Sequence, residues 1–201
     1  MSIEDQILKR IIAIPKGELL LPTDFSELGS SEAVRLSLFR LEKEGVIRRV
    51  AQGIYVRPKV SSFIGILIPT AEEIVKAIAK RDRIKTVPTG SYALNALGLS
   101  TQVPLNLVFL TDGSPRVINI GKRKIRLKKT TPKNLLAKGQ ISSLAIQALK
   151  EIGNGKVKPE EENKIIGLLK EEDVKDLKHD IALAPVWIQK IMKKALEDGK
   201  N

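Results

Sequence analysis

A chain of 201 residues with 42% apolar content can bury one core or two small ones, since domains usually hold about 100 to 150 residues, and we predict two domains. A net charge of +12 favours a polyanionic partner, without distinguishing nucleic acid from a membrane surface. The absence of cysteine excludes disulfides and thiolate metal sites. No apolar run approaches the ~18 residues of a membrane span, and acidic residues near the start are atypical of a signal peptide, so we expect a cytoplasmic protein.

Positive charge is concentrated in the middle of the sequence. The net charge is +2 for residues 1–60, +10 for residues 61–139 and zero for residues 140–201. Within the middle third, the stretch "RVINIGKRKIRLKKTTPK" (116–133) carries most of the excess. No internal repeat or low-complexity tract accompanies it.

The first part of the chain begins with an amphipathic helix. Ser2 and Asp5 match a capping box, and apolar residues then recur at helical spacing until Pro15. The following stretch, "GELLLPTDFSELGSS", predicts a short strand, a helix of one to two turns around Phe25, and a break at Gly29.

A further helix and a hairpin complete this region. The helix begins at Ser30 or Ser31 and ends near Gly45, where a left-handed residue is expected. Its predicted buried face consists of Val34, Leu38 and Leu41. "VIRRV" and "GIYVRP" then predict two strands joined by a tight turn. Three helices followed by a hairpin are typical of a winged helix-turn-helix, which we predict over residues 1–60 of an α+β protein.

The predicted hairpin and the outward side of the preceding helix form a candidate nucleic-acid surface. Helical geometry places on that side Glu32, Arg35, Leu36, Phe39, Arg40 and Lys43. Arg48 and Arg49, with Gln52 at the hairpin tip, would straddle a phosphate backbone while the helix enters the major groove. In the alternative interpretation the cations pair with Glu32, Glu42 and Glu44 on an ordinary solvated face. Leu36 and Phe39 fit thymine methyl groups, packing against the next domain, or self-association.

Residues 61–201 predict a second domain of mixed α/β architecture with a helical end over residues 140–198. "TAEEIVKAIAKR" and "TGSYALNALGLS" are typical of helices, and Thr70 with Glu73 matches a second capping box. "LNLVFLT" is nearly continuously apolar, as in a strand buried on both faces. Helical spacing of apolar residues then continues, with breaks, to Leu196.

A strongly basic strand is predicted over residues 122–129. Its period of two places on one face Lys122, Lys124, Arg126 and Lys128. Ile125 and Leu127 fall on the other face. Lysines on an exposed face also protect sheet edges against pairing, which is the alternative explanation. Four cations exceed what edge protection needs, and this favours a surface for phosphates or for an acidic partner.

Candidate catalytic residues fail on their sequence context. His179 is the single histidine and falls on the surface side of its helix, and Ser91 lacks the glycine pattern of a nucleophile elbow. "GNGKV" lacks the upstream glycine and the following Ser or Thr of a phosphate loop. We therefore predict that the protein is not an enzyme and has no catalytic residues, no metal site and no cofactor.

The run "SSEAVRLSLFRLEKEGVIRRVAQGIYVRP" resembles the winged-helix domain of the AbiEi-type antitoxins, the abortive-infection repressors of type IV toxin-antitoxin systems. "PTAEEIVKAIAK", "PTGSYALNALGLSTQVPLNLVFLTDG" and "APVWI" resemble the C-terminal domain of that family in the same order. The resemblance extends from about Pro22 to Trp187. Phe39 departs from the family pattern, in which the residue after Leu38 is commonly small or polar.

The resemblance implies a DNA-binding transcriptional autorepressor and antitoxin. Its partners would be double-stranded DNA, at operator repeats of its own operon, and a cognate nucleotidyltransferase-like toxin, with no membrane involved. In this role the major-groove contacts would come from Arg35, Arg40 and Lys43, and the wing contacts from Arg48, Arg49 and Gln52. Ser30 or Ser31 would offer a hydroxyl and backbone N–H groups to a phosphate.

Two other functions stay open from the sequence. One is an interaction protein whose basic strand docks an acidic protein partner, and the other is a stand-alone winged-helix regulator. RNA binding is a weaker option, because only 3% of the residues are aromatic and the stacking platforms of single-strand readers are missing.

Overall fold

The computed structural model describes residues 1–63, 65–67, 69–121 and 123–197. Helices and strands are mixed along the chain, so the predicted α+β class is confirmed. Two compact units are present: one holds Met1–Ile84 with a short stretch that begins at Ile118, and the other holds Lys85–Val117 and the residues from Arg123 onward. None of the described helices is long and apolar enough to cross a membrane.

The first unit begins with helix α1, Ile3–Ala13, whose two ends are both fixed by side chains. The predicted capping box is confirmed, because the Asp5 N–H donates to Ser2 Oγ over 3.1 Å and the Ser2 N–H donates to Asp5 Oδ2 over 2.9 Å. At the other end, the Arg57 guanidinium donates to the carbonyl oxygens of Ile12, over 2.7 Å, and of Ile14. Arg57 thus satisfies carbonyls that the end of a helix leaves without partners.

A 3-10 helix and helix α2 follow. The one-to-two-turn helix predicted around Phe25 is present over Pro22–Leu28, with 3-10 rather than α geometry. Helix α2 spans Ser31–Lys43. The turn between them passes close to α1, since an ideal Cβ on Gly29 would lie 2.8 Å from Ile3 Cδ1. A side chain at Gly29 would therefore require the end of the Ile3 side chain to move.

The strands of the first unit form two small antiparallel sheets. Strands β1 (Leu19–Leu20), β2 (Arg48–Ala51) and β3 (Ile54–Val56) make a sheet of order β1-β3-β2. The predicted hairpin is confirmed, and Gly53 in its turn has a left-handed φ of 66°. Strands β4 (Lys59–Ser61) and β5 (Gly65–Leu67) pair with each other.

The main core of this unit joins α1, α2 and the sheet. Its buried members are Ile7, Ile11, Leu20, Phe25, Val34, Leu38, Leu41, Ile47 and Tyr55. Helix α3, Ala71–Asp82, follows with the predicted capping box between Thr70 and Glu73, and ends at Arg83, whose φ of 53° is left-handed. The apolar spacing in the sequence identified the buried face of α2 correctly. In α1, Ile7 and Ile11 are buried as that spacing predicts, but Ile12, which follows the same spacing, is 57% exposed.

A four-stranded mixed sheet belongs to the second unit except for the end of its strand Arg116–Ile120, which from Ile118 belongs to the first unit. Its strands are β6 (Thr86–Thr89), β7 (Asn106–Thr111), β8 (Arg116–Ile120) and β9 (Arg123–Lys129), in the order β6-β7-β9-β8. β7 is antiparallel to β6 and parallel to β9, and helix α4, Ser91–Ala96, connects β6 to β7.

Strand β7 corrects one expectation from the sequence. Leu107, Phe109 and Thr111 are buried, but Val108 and Leu110 on the opposite face are only partly covered. Burial on both faces was therefore too strong a prediction. The parallel register explains this, because β9 places Arg126 and Lys128 opposite Val108 and Leu110, and long charged side chains leave such a face accessible to water.

Four helices follow the sheet, as the sequence predicts: α5 (Gln140–Ile152), α6 (Pro159–Leu169), α7 (Val174–Leu183) and α8 (Val186–Glu197). Their apolar faces meet α4 in one cluster, whose fully buried members include Ala93, Ala145, Leu149, Ile165, Leu169, Ile188 and Met192. Each buried Leu, Ile or Met side chain of this cluster contributes roughly 1.5 to 3 kcal/mol relative to an exposed one.

The start of α5 is held by a buried carboxylate from α7. Asp180, which is 0% exposed, accepts hydrogen bonds from the backbone N–H groups of Lys138 (2.9 and 3.0 Å) and Gly139 (2.8 Å) and from the Ser142 hydroxyl (2.5 Å). Glu172 accepts from the Ser142 N–H over 2.7 Å. α5 has no side-chain cap of its own, so two carboxylates that follow it in sequence supply one.

Candidate nucleic-acid interface

Helix α2 separates its residues cleanly between core and solvent. Val34, Leu38 and Leu41 are each at most 1% exposed. The outward residues Glu32, Arg35, Leu36, Phe39, Arg40 and Lys43 are all exposed. Leu36 and Phe39 keep 50% and 49% of their surface, which leaves both apolar side chains available for contact.

The cations on this face differ in how firmly they are held. Arg40 Nη1 lies 3.1 Å from Glu4 Oε2 on α1. Lys43 Nζ lies 5.4 Å from the centre of the Phe39 ring, within range of a cation–π contact. Across the described part of the chain, Arg35 makes no ion pair, and none of these cations pairs with Glu32, Glu42 or Glu44. The pairs with Glu32, Glu42 and Glu44 that the alternative interpretation expects are therefore not formed among the described residues.

The N-terminal end of α2 is capped by Ser30. Its Oγ accepts a hydrogen bond from the Ala33 N–H over 3.2 Å, and the hydroxyl hydrogen stays free to donate. Ser31 is the exposed first residue of the helix. Glu32 in the first turn is also exposed, and its negative charge opposes an incoming phosphate at this end of the helix.

The side chains of the two hairpin arginines project from opposite faces of strand β2. Arg49 lies opposite Tyr55 in the antiparallel register, and Arg48 lies opposite Val56. Because successive side chains of a strand alternate, the face shared with Tyr55 carries Arg49 but not Arg48. Tyr55 belongs to the core formed with α1 and α2, so Arg49 is the arginine on the helical side of the sheet.

Arg49 is partly fixed in its place. Its Nε donates to the Ala51 carbonyl over 3.4 Å, a weak bond across an irregularity in the strand pairing. Burial raises the pKa of Tyr55, and the positive charge of Arg49 opposes that rise in part. Arg48 makes no ion pair within the described residues.

The tip of the hairpin lies beside an arginine that no sequence pattern placed there. Gln52 is exposed, and an ideal Cβ on Gly53 would lie 3.7 Å from Arg81 Nη1 at the end of α3. Arg81 also pairs with Asp82 through Nε (2.6 Å) and Nη2 (3.2 Å). The cationic surface at the hairpin therefore includes α3, although the charge of Arg81 is partly neutralised.

The basic strand is present in the second unit as β9. Lys124, Arg126 and Lys128 are exposed, whereas Ile125 and Leu127 are 0% and 1% exposed. Lys122, predicted on the same face, lies outside the described residues. β9 lies between β7 and β8, so it is not a sheet edge, and edge protection does not explain its cations.

The titratable groups of the second unit include one histidine in contact with a buried carboxylate. No three His, Asp or Glu side chains in the described ranges gather as a metal site requires. His179 Nδ1 lies 2.7 Å from Asp180 Oδ1, while the Ser142 hydroxyl bonds the same carboxylate rather than the imidazole. This order differs from that of a nucleophilic triad, in which the imidazole contacts the serine.

The described residues thus define an α+β protein with a cationic helix-and-hairpin surface in one unit and a basic strand in the other. The chain belongs to DUF6088, a family of unknown function, whose profile matches residues 6–177. No curated protein matches the chain.

Proposed function

We propose that this protein is a DNA-binding transcriptional autorepressor and the antitoxin of a type IV toxin-antitoxin system. Residues 1–60 would act as a winged helix-turn-helix, with α2 as the recognition helix and the β2–β3 hairpin as the wing. The second domain would counter a nucleotidyltransferase-like toxin, a role that rests on the resemblance to the AbiEi-type antitoxins.

The order and pairing of the elements support the DNA-binding part. α1, β1, the 3-10 helix and α2 precede the β2–β3 hairpin, and β1 completes an antiparallel sheet of order β1-β3-β2, as expected for a winged helix-turn-helix. Only Gly29 and Ser30 separate the 3-10 helix from α2, which supports a tight turn before the recognition helix.

The observation that carries the proposal is the exposed cationic face of α2. Arg35, Arg40 and Lys43 remain in solvent while the opposite face of the same helix is wholly buried. A helix presented in this way fits the major groove, where arginine and lysine bond guanine and the neighbouring phosphates. Leu36 and Phe39 on the same face fit thymine methyl groups.

The wing contacts follow from the geometry of β2. Arg49, on the helical side of the sheet, would contact the phosphates next to the groove that α2 occupies, and Gln52 would reach the backbone from the tip. Arg48, on the other face, would contribute through long-range attraction more than through direct contact.

A salt titration of operator binding tests the proposal. We expect the full-length protein to shift a duplex from the region upstream of its own gene, with affinity that falls steeply with salt. Arg35→Ala should weaken binding by about 1 to 3 kcal/mol if it contacts a base, and the variant Arg49→Ala should flatten the salt slope by roughly 0.9.

The matched control replaces Lys9 and Lys16, two exposed lysines of the same unit outside α2 and the hairpin, with Ala. This variant should keep the wild-type salt slope, apart from the small change that weaker general electrostatic attraction causes. If the control lost as much affinity for DNA as Arg35→Ala, the binding would be explained by non-specific charge. The assignment of α2 as the recognition helix would then be refuted.

The antitoxin part has a separate test. Co-expression of the protein with a nucleotidyltransferase-like reading frame encoded next to it should restore growth that the second protein alone inhibits. Growth inhibition that persists with full expression of both proteins would contradict this part and leave a stand-alone winged-helix regulator.

A second function is favoured by one observation, the exposed cations Lys124, Arg126 and Lys128 that share one face of the interior strand β9. They support an interaction protein that docks an acidic protein surface. Replacing Lys124, Arg126 and Lys128 distinguishes the two functions, since loss of partner binding without any change in the salt slope for DNA would assign the strand to a protein.

A further inference from the structure

The parallel strands β7 and β9 of the second unit have one buried face and one face that stays accessible to solvent. On the buried face, the ring of Phe109 lies 5.5 Å from the ring of Tyr92 on α4, centroid to centroid. Ile125 and Leu127 on the same face are 0% and 1% exposed. Parallel strands are normally covered by helices on both faces. The accessible face therefore lacks the layer that such strands usually have.

The accessible face combines a column of cations with apolar residues on either side. The parallel register places Val108 of β7 beside Arg126 of β9. Exposure alternates along β8, the other neighbour of β9, and Val117 is 52% exposed. Val87 of β6, beside Leu110, is buried, so the accessible part lies toward β9 and β8. We define the open face by its residues Val108, Leu110, Val117, Lys124, Arg126 and Lys128.

The cations of the open face have no counter-charge. Lys124, Arg126 and Lys128 form no ion pair and no side-chain hydrogen bond with any described residue. None of the four strands of the sheet contains Asp or Glu. Clustered charge of one sign attracts a ligand of the opposite sign, so the open face suits a ligand with its negative charges in a row.

The apolar residues indicate which kind of anionic ligand fits. Interfaces with DNA are more polar and more strongly charged than interfaces between proteins, and phosphates offer no apolar surface to Val108 or Val117. A protein segment that carries both carboxylates and apolar side chains would cover both parts of the open face. The combination therefore favours a protein over a duplex.

The spacing of the cations fits an α-helix. Alternate residues of a strand lie about 6.6 Å apart, so Lys124 and Lys128 are separated by roughly 13 Å along β9. Residues i, i+4 and i+8 of an α-helix follow one another at about 6 Å, over roughly 12 Å. Three carboxylates in such a row would meet the three cations one by one.

We propose that the open face binds an acidic amphipathic helix of a partner protein. Carboxylates at every fourth position of that helix would pair with Lys124, Arg126 and Lys128. Apolar side chains beside this row would cover Val108 and Val117. The inference rests on the second function proposed above, the docking of an acidic protein, and does not depend on DNA binding by α2.

Binding of a designed peptide to the full-length protein tests the inference. The probe is a labelled peptide of about 18 residues, long enough to form a helix, in which Glu recurs at every fourth position with Leu on both sides of that row. A scrambled peptide of the same composition keeps the charge but not the amphipathic pattern. We expect the designed peptide to bind saturably in fluorescence anisotropy, about tenfold or more tighter than the scrambled one. Its circular dichroism should gain helical signal beyond the sum of the separate spectra.

Variants test the two parts of the open face separately. Replacing Lys124, Arg126 and Lys128 with Gln should weaken binding of the designed peptide about tenfold or more, because three ion pairs are lost. Val117→Thr keeps the charge and the branched shape of the side chain, and should weaken binding about two- to fivefold because apolar contact is lost. Arg126→Gln alone serves if the triple variant does not fold, because Arg126 is exposed.

The control for general attraction replaces Lys175, Lys178 and Lys193, exposed lysines of α7 and α8, with Gln. It removes the same charge as the triple variant of β9 and should bind the designed peptide as the wild type does. A control that lost as much affinity as the β9 variant would overturn the inference, because net charge would then explain the binding.

Two further outcomes would also overturn the inference. In one, a short DNA duplex displaces the peptide and Val117→Thr changes the affinity for neither ligand, which would make the open face a phosphate surface. In the other, the scrambled peptide binds as tightly as the designed one, which would refute the helix and leave the docking of an acidic partner in place. Binding of neither peptide would contradict the docking function as well, so the two failures can be told apart.

Discussion

The Arg40 guanidinium on α2 lies 3.1 Å from the Glu4 carboxylate on α1, with both side chains partly in solvent. Exposed pairs of this kind contribute about 0 to 1 kcal/mol to stability. The pair matters more for the surface, because Glu4 neutralises one cation on the outward face of α2. We therefore expect Glu4→Gln to tighten operator binding about two- to fivefold and to leave the fold unchanged.

The control for this prediction is Glu18→Gln, which removes an exposed carboxylate from the same unit at a position away from α2. Fluorescence anisotropy at two salt concentrations would measure both variants. If Glu18→Gln tightened binding as much as Glu4→Gln, the effect would belong to net charge, and the particular role of the Arg40–Glu4 pair would be refuted.

Arg57 is predicted to stabilise the first unit rather than to contact a ligand. Its guanidinium donates to the Ile12 and Ile14 carbonyls, and its backbone pairs with Gly17 and Glu18. Arg57→Ala should lower the free energy of unfolding by about 2 kcal/mol, because the carbonyls at the end of α1 lose a charged donor. Urea unfolding measures this, with Lys16→Ala as a control expected within about 0.5 kcal/mol of wild type. An Arg57→Ala variant with the same free energy of unfolding as the wild type would show that water replaces the guanidinium without loss of stability.

Gly139 is required by close packing at the start of α5. An ideal Cβ there would lie 2.4 Å from Ser142 Oγ and 2.5 Å from Glu172 Cδ. Gly139→Ala should therefore destabilise the protein by about 1 to 3 kcal/mol through overpacking. Gly167, inside α6, has open space around the same position, so Gly167→Ala should stabilise by roughly 0.5 to 1 kcal/mol. Thermal unfolding of the two variants should give shifts of opposite sign, and shifts of the same sign would contradict this account.

The lowered pKa of Asp180 predicts that the stability of the protein depends on pH in the acid range. Burial alone would raise its pKa, but hydrogen bonds from Ser142, His179 and the Lys138 and Gly139 backbone outweigh burial and lower the pKa below the ordinary value of 3.8. A carboxyl whose pKa is lower in the folded than in the unfolded state stabilises the protein above its unfolded pKa. That contribution is lost as the pH falls through the lower, folded pKa.

The measurement compares the free energy of unfolding of the wild type and of Asp180→Asn between pH 7 and pH 2. The variant should be less stable at pH 7 by about 2 to 4 kcal/mol, and the difference should shrink toward pH 2. Glu197→Gln, at the exposed end of α8, is a control with the same change of charge. A gap between wild type and Asp180→Asn that stays constant with pH would rule out ionisation of Asp180 as its cause.

Local features of the fold could be predicted from the sequence because their determinants lie within a few residues. The capping box joins Ser2 and Asp5, which are three positions apart, and the alternation of Ile125 and Leu127 with cations follows from the period of a strand. Such patterns indicate which face of an element is buried. They also identified the outward cations of α2 without knowledge of the core.

Long-range features could not be predicted in this way. Arg57 reaches a carbonyl 43 residues earlier, and Asp180 caps a helix 41 residues before it. Periodicity does not say which element covers a buried face, so it did not indicate Arg81 beside Gly53 or Lys150 near Lys133. The opposite directions of Arg48 and Arg49 could have been predicted from the period of a strand alone. Their adjacency in sequence suggested a single cationic edge instead.

The last prediction concerns the cations of β9. Their position on an interior strand excludes edge protection as the explanation and leaves two others. Lys124, Arg126 and Lys128 share the face of an interior strand, so they either contact phosphates or bind an acidic partner. If they contact DNA, replacing all three with Gln should flatten the salt slope by roughly 0.9 for each phosphate that is no longer neutralised, up to about 2.7 in total. A control that replaces Lys175, Lys178 and Lys193, all exposed, removes the same charge from α7 and α8. Equal slopes for the β9 variant and the wild type would remove the strand from the DNA surface, and the acidic partner would then be the ligand that the strand binds.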